Sequence, residues 1–452
     1  MTQPSPSHWL QYGKSVEEAQ TIQAYGRIVQ VIGLVVEGEG PAAAIGDICH
    51  LKIRNEGEWI VAEVVGFRDN KVLLMPLGEL RGIGPGGRII PKGSPARVRI
   101  SRQLLGRVLD GLGHPIDQKG PIAYEGEYPL YAQPLNPITK QRISEPIDVG
   151  IKAINGLLTI GKGQRIAIFS GSGVGKSTLL GMMARHTAAS VSVVALIGER
   201  SREVREFIEK DLGEEGLKRS VVVVATSDQP PLIRMRGAYL ATAICEYFRD
   251  QGKDVLLMMD SVTRFAMASR EVGLSIGEPP TSKGYTPSVF AQLPRLLERV
   301  GTTASQGSIT GIYSVLVEAD DMNDPIADAI RSISDGHIAL SRDLANQGHY
   351  PAIEVLGSVS RVMGDIVAPD QVRVRNRLVS LMATYRKAED LINIGAYVEG
   401  NNPQIDEAIR KIPEINTFLC QRVSEKVNLS DSVKLMRSLF PGKPGDSRAS
   451  AA

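Results

Sequence analysis

Arg165-Ile-Ala-Ile-Phe169 runs directly into Ser170-Gly-Ser-Gly-Val-Gly-Lys-Ser177, and Thr178 then leads into an apolar stretch through Leu179, Leu180, Met182 and Met183. The unalternating apolar run reads as a strand buried on both faces, and the glycine cluster reads as a turn. Strand, glycine turn and helix N-terminus in that order are the context of a P-loop. Glycines let backbone N–H groups converge on phosphate oxygens, and the helix dipole adds partial positive charge at the same point. Gly171, Ser172, Gly173, Val174, Gly175, Lys176, Ser177 and Thr178 are therefore expected to hold a nucleotide. The Lys176 ammonium would sit on the β/γ oxygens, with the Ser177 hydroxyl available to Mg2+. The general pattern begins with Gly where this chain has Ser170. A small residue makes that turn if its φ is negative.

Outward from this motif, Val191–Ile197, Val221–Ala225 and Val255–Met259 are further apolar runs, separated by helical patterns over Ser201–Asp211 and Gly237–Asp250. Such alternation predicts an α/β core with an open parallel sheet. Two of the runs end in acids, Glu199 of Gly198-Glu-Arg200 and Asp260. Ligands of open parallel sheets lie outside the carboxyl ends of the strands, so both acids are expected to face the phosphate. Asp260 is placed on the Mg2+ shell in the manner of a Walker B acid, and Glu199 as the group that polarises the attacking water. The structural alternatives are an acid at a helix N-terminus for Glu199 and a helix N-cap for Asp260. Arg200 and Arg264 could each reach phosphate, and surface ion pairing explains them equally well.

At the N-terminus a polar tail, residues 1–22, is expected to be a docking segment or a disordered end. Short β-type runs with glycine between them follow from Tyr25 and predict a small barrel or sandwich ending near Arg97–Ile100. Gly106 to Pro146 is rich in glycine and proline and reads as loops. After Gly364 glycine thins out, and Arg373–Asn393 and Pro403–Lys426 carry helical periodicity. The expected organisation is a tail (1–22), a β-barrel domain (23–100), a RecA-like nucleotide-binding domain (101–365) and a mostly helical C-terminal domain (366–452).

The bulk properties narrow the class. A chain of 452 residues exceeds a single core. Lys and Arg total 52 against 50 Asp and Glu, a net charge of +2 that does not point to nucleic acid. Cys49, Cys245 and Cys420 lie far apart with no CxxC pair, which argues against a zinc site or disulfide framework and fits a reducing compartment. No apolar run approaches the ~18 residues of a membrane span, and Met1–Ser15 has no signal-peptide core. A cytoplasmic, multidomain protein is expected.

Taken together, Ser170–Thr178, Gly198-Glu-Arg200, Leu256-Leu-Met-Met-Asp-Ser-Val-Thr-Arg-Phe265 and Gly357-Ser-Val-Ser-Arg-Val362 resemble the rotary ATPase superfamily, which includes F-type ATP synthase subunits and type III secretion ATPases. Within it, Arg205-Glu-Phe-Ile-Glu-Lys-Asp-Leu-Gly213, Ala225-Thr-Ser-Asp-Gln-Pro230, Glu246-Tyr-Phe-Arg-Asp-Gln-Gly252 and Lys283-Gly-Tyr-Thr-Pro-Ser-Val-Phe290 are similar to flagellum-specific export ATPases. The stretch from Asp320-Asp-Met-Asn-Asp-Pro325 through Asp335-Gly-His-Ile338 suits flagellar and injectisome branches alike.

The resemblance implies ATP and Mg2+ as the working ligands, and hydrolysis that drives protein export. It puts Arg361 at the place of an arginine finger reaching into a neighbouring subunit, and Tyr350 where catalytic subunits stack a ring on adenine. In ATP synthase heterohexamers the catalytic glutamate and the finger lie on different subunit types. Glu199 and Arg361 share one chain here, which favours a homohexameric ring. The implied partners are a stator-like regulator at the tail, a central stalk-like protein, export substrates with their chaperones, and an export gate at the inner face of the cell membrane. The alternatives are an injectisome ATPase, a catalytic subunit of an F- or V-type ATP synthase, an inactive nucleotide-binding subunit and a ring RNA helicase. An F- or V-type subunit would need a partner chain for the finger, and Glu199 argues against an inactive subunit. A helicase needs a basic, aromatic platform before its motor. Residues 25–100 offer few aromatics (Tyr25, Trp59, Phe67) and no dense Lys/Arg cluster, so no nucleic-acid partner is expected.

Overall fold

The computed structural model describes residues 24–52, 59–303, 307–317 and 324–440. The expected tail, 1–22, and most of Asp320–Pro325 lie outside them. The chain divides into two compact units, Met1–Ala96 and Arg97–Ala452.

In the first unit β1 (Gly26–Ile32), β2 (Val35–Glu39), β3 (Asp47–Lys52), β4 (Trp59–Arg68), β5 (Lys71–Pro76) and β6 (Arg88–Pro95) close into an antiparallel barrel, in the order β1-β2-β5-β4-β3-β6. Period-2 alternation sends Ile28, Val36, Cys49, Leu51, Val64, Leu74 and Ile89 into one core. Closure between β1 and β6 leaves no free sheet edge. Cys49 is wholly buried in this core, where burial pushes its thiol up to about 11, so it is a packing residue.

The barrel stops at Pro95, short of the expected Ile100. The next strand, β7 (Arg97–Ile100), belongs to the second unit, where β8 (Val108–Asp110) and β9 (Gly126–Pro129) follow, and β7 pairs with β9. Val98 and Ile100 are buried there, and Tyr128 of β9 meets Tyr247 edge-on at 5.8 Å. Alternation marks β7 as a strand but does not name its partner.

The second unit is built on a mostly parallel sheet. After the short pair β10 (Pro146–Ile147) and β11 (Ile160–Gly161) come β12 (Arg165–Ser170), β13 (Val191–Ile197), β14 (Ser220–Ala225), β15 (Asp254–Asp260), β16 (Gly301–Thr302), β17 (Ser308–Leu316), β18 (Gly336–Leu340) and β19 (Ile353–Ser360). The main order is β19-β18-β12-β17-β15-β13-β14-β8, with β16 antiparallel on β17 and β19 antiparallel on β18. The four expected strands form within one residue of their expected ends. The central strand, β17, carries Ser308, Thr310 and Ser314 and so does not read as an apolar run.

Helices cover the sheet. Pro231–Asp250, longer than the expected Gly237–Asp250, is buried along almost its whole length. Ser201–Lys218 is helical in three parts, with a π-helical turn over Phe207–Leu212 between two α segments. The helical C-terminal segment contains Pro369–Asn393, Pro403–Leu419 and Leu429–Ser438. Pro403 onward was expected to stay helical to Lys426 but stops at Leu419, because the chain turns to bury Gln421. The Gln421 amide donates to Gly150 O and Glu425 O and accepts from Lys152 N–H.

One buried ion pair ties these layers together. Arg299 is wholly buried and grips Glu246 of the Pro231–Asp250 helix at 2.6 and 2.8 Å, while donating to Leu130 O at 2.8 Å. Removing one partner strands the other charge out of water. Arg299→Ala is expected to lower stability by about 3–5 kcal/mol, read from urea unfolding of the full chain. A loss below 1 kcal/mol would mean water enters to solvate Glu246.

Candidate active site

The P-loop is the turn between β12 and the helix Lys176–His186. Gly173 and Gly175 hold φ of 78° and 94°, a left-handed conformation that glycine adopts without strain. Ser170 is not among the described residues with positive φ, so a side chain costs nothing there. Val174 is buried and anchors the turn in the core, whereas Ser172 and Ser177 are exposed. Arg342 donates to Ser172 O at 3.2 Å, a tether that the sequence reading missed.

A Cβ on Gly175 would stand 3.5 and 3.6 Å from two ring carbons of Tyr350. The half-exposed Tyr350 ring therefore flanks the phosphate loop. Its carbonyl accepts from Gln421 N–H at 2.9 Å, which links the end of the helical segment to the loop.

Parallel strand order brings the two acids to the same edge. Asp260 ends β15 and Glu199 follows β13 by two residues. The Lys176 ammonium donates to Asp260 Oδ1 and lies 3.9 Å from Glu199 Oε1. Ser314 Oγ donates to the same Asp260 oxygen at 2.6 Å. Glu199 Oε1 is buried and has no hydrogen-bond partner. Burial, and then the Asp260 charge, push the Glu199 carboxyl up to about 8 against the pull of Lys176, and a hydrogen bond to Glu203 pushes the same way.

The arginines separate. Arg200 is 80% exposed and pairs with Glu203 at 3.5 Å, a surface ion pair at the start of its helix. Arg264 packs its stem against Gly198, where a Cβ would come within 2.7 Å of it. Arg361 lies at the other end of the sheet, because β19 runs antiparallel to β18 and delivers its last residue, Ser360, opposite Gly336. Its N–H donates to Asp335 O, and its guanidinium to Ser334 O and Arg331 O. Asp335 N–H donates to Arg165 O at the start of β12. The P-loop begins five residues further along β12, roughly 16 Å away at ~3.3 Å per residue. Arg361 is thus not part of its own chain's phosphate site.

Residues 28–93 match the beta-barrel domain of the ATP synthase alpha/beta family, and residues 150–360 its nucleotide-binding domain. Residues 367–438 match the T3SS EscN ATPase C-terminal domain. The chain is 53% identical to the flagellum-specific ATP synthase of Bacillus subtilis (strain 168), over 94% of this chain and 97% of that one. It is 49% identical to the type 3 secretion system ATPase of Xanthomonas euvesicatoria, over 92% and 94%. The assembled ATPase EscN from the enteropathogenic E. coli type III secretion system has the same fold, with a TM-score of 0.87 at 45% identity over 92% and 99%. EscN in complex with its central stalk EscO aligns with a TM-score of 0.84 at 44% identity, over the same shares.

The Glu199 carboxyl carries a signature in stability. Between its ordinary 4.5 and about 8, the folded chain keeps a proton that the unfolded chain has lost. Stability therefore falls as pH rises through that window. Glu199→Gln removes this slope, so in nucleotide-free calorimetry its Tm should gain on wild type more at pH 8 than at pH 5. An equal difference at both pH values would contradict the burial of this carboxyl.

Proposed function

Since this chain belongs to the ATP synthase alpha/beta family, on the branch of flagellum-specific and type 3 secretion ATPases, we propose that it hydrolyses Mg-ATP as a homohexameric ring and drives flagellar protein export. The observation that carries this reading is the split of one catalytic set across the sheet. Lys176, Glu199 and Asp260 gather at the carboxyl edge, and Arg361 emerges at the opposite end.

The P-loop N–H groups of Gly171 to Thr178 hold the phosphates, and Lys176 moves from Asp260 onto the β/γ oxygens. Tyr350, beside Gly175, stacks on the base. The donors fit Mg2+: the Asp260 carboxylate and the Ser177 hydroxyl are hard oxygen ligands, and Mg2+ needs only one or two of these beside phosphate and water. The described residues hold no cluster of three His, Cys, Asp or Glu, so a dedicated cage is not on offer. When bound, Mg2+ neutralises charge developing on the transferred phosphoryl group. Glu199 takes the proton of the attacking water, and a carboxyl raised to about 8 is matched to that task near neutral pH. Arg361 of one subunit completes the neighbour's site, which makes turnover depend on assembly. Arg200, held in its exposed pair with Glu203, adds positive charge beside Glu199.

On this reading the barrel, which ends at Pro95, supports the ring, the chain from Arg97 to about residue 365 is the motor and 366–452 meets a central stalk-like protein. The tail, 1–22, docks a stator-like regulator. The clients are export substrates with their chaperones, and the membrane gate is met peripherally from the cytoplasm. No described helix is long and apolar enough to cross a membrane. The similarity to EscN supports an injectisome client set as the second reading.

Glu199→Gln should cut ATP turnover by about 10²–10⁴-fold, and in the source organism it should empty the culture supernatant of hook protein and flagellin. Normal flagellar secretion with a folded, abundant variant would end the flagellar reading, and loss of other secreted proteins instead would favour an injectisome. Arg361→Ala should be as inactive, yet mixing it with Glu199→Gln should restore part of the turnover, because some interfaces then pair an intact Glu199 with an intact Arg361. No recovery in rings shown to mix would remove Arg361 from the neighbour's site.

A further inference from the structure

The central strand β17 reads Ser308-Ile-Thr-Gly-Ile-Tyr-Ser-Val-Leu316, and all but its last residue are buried. A strand between two buried neighbours has no need of hydroxyls for packing, and an unpaired one there costs free energy. Each serine and threonine hydroxyl on this strand has a partner, whereas the buried Tyr313 hydroxyl has none. Ser308 Oγ donates to Asp254 Oδ1 at 2.7 Å, Thr310 Oγ1 accepts from Gly163 N–H at 2.9 Å, and Ser314 Oγ donates to Asp260 Oδ1 at 2.6 Å.

The two serines make the same bond at opposite ends of the sheet. Asp254 and Asp260 are the first and last residues of β15. The register that sets Ser308 against Asp254 also sets Ser314 against Asp260 when carried six residues on, about 20 Å along the strand. Ser308 lies at the end remote from the P-loop, where Asp254 also pairs with Lys162 at 2.9 Å. Ser314 lies at the P-loop end, opposite Ile168 of β12, so it stands between the phosphate-loop strand and the acid.

The geometry points to Ser314 as a positioning residue that fixes the Asp260 carboxylate for Mg2+, an inference that rests on the role given to Asp260 above. Two donors meet Asp260 Oδ1, Lys176 and Ser314. Nucleotide draws Lys176 away to phosphate. Ser314 is then the described donor that stays on Oδ1, and it holds the carboxylate plane while the metal shell forms. A charge-assisted bond from a wholly buried hydroxyl on a central strand suits that task, since neither end can drift. Groups that orient a metal-binding carboxylate typically change metal affinity by about 10–100-fold when removed.

The test is the Mg2+ dependence of binding of a fluorescent ADP analogue to the full chain, a readout that needs no turnover. Ser314→Ala should raise the Mg2+ concentration for half-maximal tight binding about tenfold or more, with binding in EDTA little changed. Ser314→Thr, which keeps the hydroxyl, should stay near wild type. Ser308→Ala loses the equivalent bond at the far end and should leave the Mg2+ dependence unmoved. A wild-type Mg2+ dependence in Ser314→Ala, or an equal shift in Ser308→Ala, overturns the proposal. Asp260→Asn separates the two levels. If it shifts the Mg2+ dependence and Ser314→Ala does not, only the positioning role fails. If Asp260→Asn leaves the dependence unchanged, the role of Asp260 fails and the inference falls with it.

Discussion

Two carboxylates and one ammonium share a largely buried corner at the carboxyl edge of the sheet. Lys176 bonds Asp260 and stands 3.9 Å from Glu199, and one positive charge cannot neutralise both acids. Burial first, and then this imbalance with Asp260, raises the proton affinity of Glu199, the acid that lacks the direct bond. On the proposed function, nucleotide would change this balance, because phosphate would compete for Lys176 and bring its own counter-ion to Asp260. On that reading the same three groups hold a proton on Glu199 in the empty site and would serve as a lysine-phosphate contact, a metal acid and a base in the filled one. The strand order that brings its acids together makes this corner possible.

That order is set by β17. Parallel pairing with β12 on one side and β15 on the other puts the P-loop strand and the Asp260 strand one strand apart, in register. Pairing of β13 with β15 then brings Glu199 to the same edge. A strand adjacent to both partners can carry short side chains that bond across without a gap, which accounts for the serine and threonine hydroxyls on β17. At the far side of the sheet a single reversal of direction, β19 against β18, sends Tyr350 to the phosphate end and Arg361 to the other. One antiparallel edge strand thus separates Tyr350 from Arg361 by its own length.

Much of this was legible in the sequence, for physical reasons that differ by residue. Lys176, Glu199 and Asp260 were readable because each terminates or follows an apolar run, and parallel sheets collect such termini on one edge. Tyr350 and Arg361 were reached only through resemblance, since their strand has no distinctive pattern and its direction decides where they go. Ser314, Arg342 and Gln421 were missed. A serine in a buried strand, an arginine at a helix start and a glutamine after a helix are common, and their partners, Asp260, Ser172 and Gly150, are remote in sequence. The helix end at Leu419 was lost for the same reason, because the amide that draws the chain inward finds its partners near residue 150. The limit of the barrel at Pro95 was lost because alternation specifies a strand's faces and leaves its neighbour open.

Gln421 adds a mechanical consequence. Its side chain bonds Gly150 O and Lys152 N–H ahead of the P-loop strand, and its backbone N–H bonds Tyr350 O beside Gly175. The loop after Leu419 is therefore fastened to the entry of the motor fold and to the residue flanking the phosphates. Gln371 of the Pro369–Asn393 helix bonds Asn155 O and Gly156 O in the same stretch. Two buried amides so placed resist sliding of the helical segment over the sheet, since any slip strands several polar groups at once. A load applied to those helices is then carried to Tyr350 and the approach to β12 through hydrogen bonds with fixed directions. The loop after Leu419 also reaches the helix that carries Lys176, since the Arg185 guanidinium donates to Val423 O at 3.1 Å.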